Sequence, residues 1–174
     1  MKRSIGLWHL WGFAVTGLCG TLLHFLYEWT GESVLVAPFS GVNESTFEHM
    51  KLLFWPLFLF AIVERFFFRE RKNLWCIKLK GTLLGLTLIP VLFYTYNGVI
   101  GKSPDWINIA IFFISAMITF IYETRLFGKK DGKCAGRVAF LMLLGIGALF
   151  VLFTFKTPAL GIFEDPLTGV YGIG

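Results

Sequence analysis

An all-α bundle of helices crossing a membrane is the fold class this sequence predicts, on three observations. Hydrophobic residues make up 56% of its 174 positions, 20 of them Phe, and the mean hydropathy is +0.69, more apolar surface than a soluble domain of this length can bury. These residues gather into five runs, each close to the roughly 20 residues needed to cross a hydrocarbon core about 30 Å thick. Runs such as LLFWPLFLFAIVERFFF and VAFLMLLGIGALFVLFTF lack apolar/polar alternation, which argues against the strands of a membrane β-barrel.

The runs predict five transmembrane helices, over residues 7–27, 50–68, 79–96, 106–126 and 138–155, in a single domain covering 1–174 with a tail over 157–174. The first begins MKRS, but LWHLWGFAVTGLCGTLLHFLYEW is long, aromatic and without a small-x-small cleavage site, so it reads as a mature helix. Ser45 and Glu48 fit a capping box at the start of the second. Pro56 and Pro90 fall inside apolar helices, where neighbours can re-satisfy the backbone. Ser103 reads as the N-cap of the fourth helix, with Pro104 and Asp105 in its first turn. The tail, TPALGIFEDPLTGVYGIG, carries turn residues and is too polar to span.

Lys and Arg set the orientation, because short connections rich in them stay on the cytoplasmic side. With the N-terminus inside, Lys2, Arg3, Arg65, Arg69, Arg71, Lys72, Lys78, Lys80, Arg125, Lys129, Lys130, Lys133 and Arg137 share the inner face, leaving only Lys51, Lys102 and Lys156 outside. Seven of the 11 acids lie outside, so the faces carry +9 and −4, summing to the net +5. The C-terminus is therefore outside, and the basic balance is a topology signal that gives no reason to expect nucleic acid as a partner. The lipid bilayer is the partner implied, and the cytoplasmic (plasma) membrane the location. Cys19 lies within a helix, and Cys76 and Cys134 fall on the reducing side, which argues against a disulfide framework. An odd number of spans cannot form two inverted halves, although a homodimer could supply the symmetry a carrier needs.

The chemistry-bearing residues collect at the outer ends. His24 and Glu28 stand four residues apart on one helical face, where an imidazole and a carboxylate can converge on one ion. Glu44, Glu48 and His49 follow at the start of the next helix. Two imidazoles with one or two carboxylates form a sufficient shell for zinc or another divalent ion, with a position open for water. The expected assignment is His24, Glu28 and His49 as metal ligands with Glu48 or Glu44 as general base. Asn43, Ser45, Tyr94, Tyr96, Asp165, Thr168 and Tyr171 could line or cover the pocket. A structural reading stands beside each: a capping box for Ser45 and Glu48, interfacial anchoring for the tyrosines, a turn for the tail. Glu64 beside Arg65, and Glu123 beside Tyr122, are expected to pair with nearby Arg or to snorkel, outside the site.

HFLYEW, PFSGVNESTFEHMKLLFWP, LIPVLFYTYNG and DPLTGVYGI together resemble a family of small multi-pass bacterial membrane proteins classed as a domain of unknown function. The resemblance covers nearly the whole chain. It implies that the polar positions His24, Glu28, Asn43, Glu44, Ser45, Glu48, His49, Tyr94, Tyr96, Asp165, Thr168, Gly169 and Tyr171 matter together, and it brings no activity.

Two functions of different class fit these residues. One is a divalent-metal-dependent hydrolase acting on a lipid or amphipathic substrate at the outer leaflet. The other is a carrier or binding protein for a cation or small solute, which would need a polar route inward. The helix middles offer little beyond Thr16, Thr87, Ser115 and Thr119, which favours the hydrolase; a structural subunit without catalysis is the third reading.

Overall fold

The computed structural model describes residues 2–129 and 133–173, with backbone alone for residues 2–4 and 105. Lys130, counted with the inner basic residues, lies outside them. Five helices follow in order: α1 (Lys2–Trp29), α2 (Thr46–Phe67), α3 (Leu74–Val99), α4 (Asp105–Phe127) and α5 (Gly136–Phe155), then a single 3₁₀ turn, η1 (Gly161–Phe163). No strand forms among the described residues beyond one bridge between Glu164 and Tyr171. Successive helices are antiparallel. One end of the bundle gathers Arg65, Arg69, Arg71, Lys72, Lys129, Lys133 and Arg137, and the other gathers His24, Glu44 and His49.

Four helices, over Ile5–Trp29, Leu74–Val99, Trp106–Phe127 and Gly136–Phe155, are long and apolar enough to cross a membrane, as a membrane protein requires. The fifth expected span falls on α2, which differs from the others. It packs against α1, α3, α4 and α5, while those four lie side by side in the order α1, α4, α3, α5. Its middle buries Leu52, Leu53, Leu57 and Phe60 against Ile89, Phe112, Ala116 and Phe120, and its opposite face buries Phe54 and Phe58 against Leu143 and Phe150. Its charges are largely buried as well: Glu48, Lys51 and Glu64 are all enclosed. The other helices turn Leu7, Leu10, Trp11, Leu18, Ile109, Leu141 and Leu149 outward, and α2 turns Leu59, Phe66 and Phe67 outward. Apolar residues outside and paired charges inside are the distribution expected when lipid is the solvent.

Close approach between α1 and its neighbours depends on glycine. A Cβ at Gly12 would stand 2.5 Å from ring atoms of Phe60 and Phe120, and one at Gly20 2.5 Å from Phe112.

The 30–45 segment folds down onto the helices. Gly31 and Glu32 (φ 65° and 59°) turn the chain out of α1, and it returns so that the Ser40 hydroxyl accepts from Tyr27 N–H (2.8 Å) and donates to Leu23 O (2.5 Å). Those two groups lie four residues apart in α1, so Ser40 bridges the helix ladder beside His24. Trp55 Nε1 donates to Pro38 O (2.9 Å), and the Lys51 ammonium donates to Ala37 O (2.7 Å) and Thr154 Oγ1 (3.1 Å) while contacting Glu48 Oε2 at 2.6 Å. Lys51 and Glu48, counted above as outer-face charges, are thus a buried pair.

Three local expectations are corrected. The capping box is half formed: Glu48 N–H donates to Ser45 Oγ (3.3 Å), but the Glu48 carboxylate accepts from Val42 N–H (3.0 Å) instead of Ser45 N–H, which Asn43 Oδ1 takes (2.9 Å). Ser103 does not cap α4, whose N-cap is Pro104; it joins α3 to α4 by donating from its hydroxyl to Asn108 Oδ1 (2.9 Å) and from its amide to Asn97 Oδ1 (2.8 Å). Cys76 and Cys134 are disulfide-bonded, with Cα atoms 6.2 Å apart, because the first turn of α3 lies beside the approach to α5. Their separation of 58 positions conceals this proximity, and Cys19 alone is free.

Candidate metal centre

His24 projects from the last turns of α1, Glu44 from the segment leading into α2, and His49 from the first turn of α2. Glu44 stands between the imidazoles, with Oε1 3.3 Å from His24 Nε2 and Oε2 3.7 Å from His49 Nε2, and the two rings are centred 5.8 Å apart. One ligand atom from each of the three lies within 4.8 Å of the others, close enough to share a cation. His49 Nδ1 donates to Ser45 O (3.0 Å), which fixes the tautomer and leaves the Nε2 lone pair facing the cluster. Gly41 carries the loop over His24, where an added Cβ would stand 3.4 Å from Nδ1. The hydrogen bond from His24, with His49 nearby, holds the Glu44 carboxyl below the usual carboxylate range despite partial burial. It is therefore ionised at neutral pH.

The cluster forms the polar end of a cavity of about 280 Å³, whose other walls are Gly20, Phe25, Leu52, Ile109, Phe112, Phe113 and Leu167. Phe25 and Ile109 are exposed on the apolar exterior, so the cavity's rim meets the surface that lipid would cover. Thr21 and Asn108 are its remaining polar lining, and Asn108 also borders two smaller pockets beside Glu44.

Residues 1–173 match the model of a family of unknown function, DUF6512. The chain belongs to that family. No curated protein and no solved structure matches it.

The other expected site residues of this DUF6512 chain have different surroundings. Glu28 is exposed and outside the three-residue cluster, whose third member is Glu44, expected as a base. Glu48 turns to Lys51 and Val42. Asn43 Nδ2 ties the tail by donating to Gly172 O (3.1 Å). In the tail, Asp165 accepts from Leu167 N–H (2.7 Å), Thr168 from Val170 N–H (3.4 Å), and Tyr171 donates to Glu164 (2.9 Å), so these polar groups serve their own turn while Leu167 reaches the cavity. Tyr94 and Tyr96 do not line the cavity; Phe93 and Asn97 from the same turns border the adjoining pockets.

Sequence reasoning passed over Asn108 and Ser40, single polar residues with no spacing signal. It also passed over His9 and set aside Glu64 and Glu123, which meet Lys78 in a second, fully buried cluster about one turn from the basic end. Lys78 Nζ lies 2.6 Å from Glu123 Oε2 and also contacts Glu64 Oε2, while His9 Nε2 is 3.0 Å from Glu64 Oε1. These acids pair with Lys78 and His9, and Arg65 turns away to donate to Arg69 O (2.6 Å). The Lys78 ammonium lies between the two carboxylates of this cluster.

Proposed function

We propose that this protein is a divalent-metal-dependent hydrolase of a lipid or other amphipathic substrate, with zinc the ion best suited to its two imidazoles and one carboxylate. The observation that carries the reading is the convergence of His24 Nε2, Glu44 and His49 Nε2 at the polar end of an otherwise apolar cavity that opens toward the membrane. An ion held there would polarise a substrate carbonyl or phosphoryl oxygen and supply an activated water. Phe25, Phe112, Phe113, Leu52 and Ile109 would receive the apolar part of the substrate. Glu28, exposed one turn beyond His24, and the amide nitrogen of Asn108, whose Oδ1 accepts from Ser103, would orient the reacting end.

The basic residues of the opposite end support an orientation in which this site faces outward and works on the outer leaflet of the plasma membrane. A carrier reading is less well supported, because the rings of Phe112, Phe120 and Phe60 pack across the α1 face below the cavity.

Elemental mass spectrometry of detergent-purified protein tests the proposal. Near-stoichiometric zinc is expected in the wild type and its loss in His24→Ala and Glu44→Gln variants that still elute as folded species. Metal-free wild type that stays empty after incubation with zinc and manganese would refute it, and solute flux into liposomes would then favour the carrier.

A further inference from the structure

The buried cluster near the basic end contains a hydrogen-bonding conflict that an added proton resolves. With the single hydroxyl hydrogen of Thr124 donated along its own helix to Phe120 O (2.7 Å), Thr124 Oγ1 accepts from His9 Nδ1 (2.6 Å). In that arrangement Nδ1 carries a hydrogen. In a neutral imidazole, Nε2 then presents a lone pair, and it faces Glu64 Oε1 at 3.0 Å, where an ionised carboxylate presents lone pairs as well. Two acceptors at that distance repel; a proton between them makes a charge-assisted hydrogen bond.

Charge balance independently calls for one more proton in the cluster. The charged or titratable groups facing the cluster are His9 from α1, Glu64 from α2, Lys78 from α3 and Glu123 from α4, enclosed by Phe60, Phe120 and Phe127. One ammonium and two carboxylates leave a net charge of −1 in a site without solvent exposure, which burial strongly penalises. One more proton brings the cluster to neutrality.

We propose that this cluster is a proton-binding site, holding one exchangeable proton between His9 Nε2 and Glu64 Oε1. Proton transfer across that contact interconverts imidazolium–carboxylate and imidazole–carboxylic acid, with no other bond changed. Lys78, bridging Glu64 and Glu123, anchors the negative side in either form. The site lies 15 residues along α1 from His24, about 22 Å away at the α-helical rise, so it is distinct from the metal centre and does not depend on the hydrolase reading. Thr16 Oγ1 and Ser115 Oγ, buried on α1 and α4 between the two sites, have no hydrogen-bond partner among the described residues and offer water-binding positions along the way.

Histidine ¹⁵N NMR and infrared spectroscopy of the purified protein at about pH 8, where an ordinary imidazole is neutral, test this. The expected result is either an imidazole protonated at both nitrogens, assigned to His9 by its loss in His9→Asn, or a protonated-carboxyl band. Whichever signal appears shifts in D₂O and disappears in Glu64→Gln, whose amide can donate to a neutral Nε2. If Glu64→Gln does not fold, the isotope shift together with the loss in His9→Asn carries the test. A His9 signal of the plain neutral tautomer, with no protonated-carboxyl band, would overturn the proposal.

Discussion

Replacing Lys51 by Met would remove a buried ammonium and leave its partner in place. Lys51 Nζ contacts Glu48 Oε2 (2.6 Å), Ala37 O (2.7 Å) and Thr154 Oγ1 (3.1 Å), and both members of the ion pair are enclosed. After substitution the Glu48 carboxylate keeps the Val42 N–H (3.0 Å) and loses its only cation among the described residues. Removing one partner of a buried pair costs about 3–5 kcal/mol, because the remaining charge is left without compensation. At about 2–4 °C per kcal/mol for a chain of this size, the thermal midpoint should fall by roughly 10 °C. The Glu48→Gln/Lys51→Met double variant removes both charges and should recover most of that loss. Thermal unfolding in detergent micelles for the four members of the cycle measures the coupling. A Lys51→Met variant within about 1 kcal/mol of wild type, or a double variant no more stable than the single, would refute the reasoning. The Glu48→Gln single variant of the cycle also tests Glu48: metal retained with turnover lost would support it as the general base.

Ser40→Ala should cost about 1–3 kcal/mol, since the Tyr27 amide and the Leu23 carbonyl both lose the hydroxyl; equilibrium unfolding measures this, and zinc affinity should fall as the loop loosens over His24. Glu44 has a carboxyl held below its ordinary value of 4.5, so its contribution to stability is complete above that pH and is lost as pH falls through the lowered value. The stability difference between wild type and Glu44→Gln, followed by unfolding under chelating conditions, should therefore shrink on acidification below that point; a constant difference would contradict the pairing. Cys76 and Cys134 should resist alkylation in the purified protein until a reductant is added, and labelling of all three cysteines without reductant would disprove the disulfide. With that end on the cytoplasmic side, alkylation in intact cells should find the pair reduced.

The helices were legible because their signals are local. Long apolar runs locate them, and Pro56 and Pro90 interrupt neither α2 nor α3, whose packed neighbours and lipid surroundings keep the helix the favoured state. His24, Glu44 and His49 lie near one another because the short 30–45 connection restricts where the start of α2 can lie. Which acid completes the group was not legible. Glu28 shares a helical face with His24, yet Ser40 folds the loop back so that Glu44 reaches between the imidazoles. The charge count treated Lys51, Glu48, Lys78, Glu64 and Glu123 as surface charges because each sits near a helix end among polar neighbours in sequence. In the fold they face inward, and each finds an opposite charge on the same or another helix.

By itself, then, the sequence determined a helical membrane protein with basic residues at one end and histidines and carboxylates at the other, since hydropathy, charge bias and short connections are properties of neighbouring residues. Only the tertiary structure decided that α2 packs against all four other helices, that Cys76 meets Cys134, and that His9, Glu64, Lys78 and Glu123 from four helices share one buried site. Those pairings are set by how helices rotate and pack against one another to hide charge from lipid, and that rotation depends on contacts between residues as much as 115 positions apart, such as His9 with Thr124.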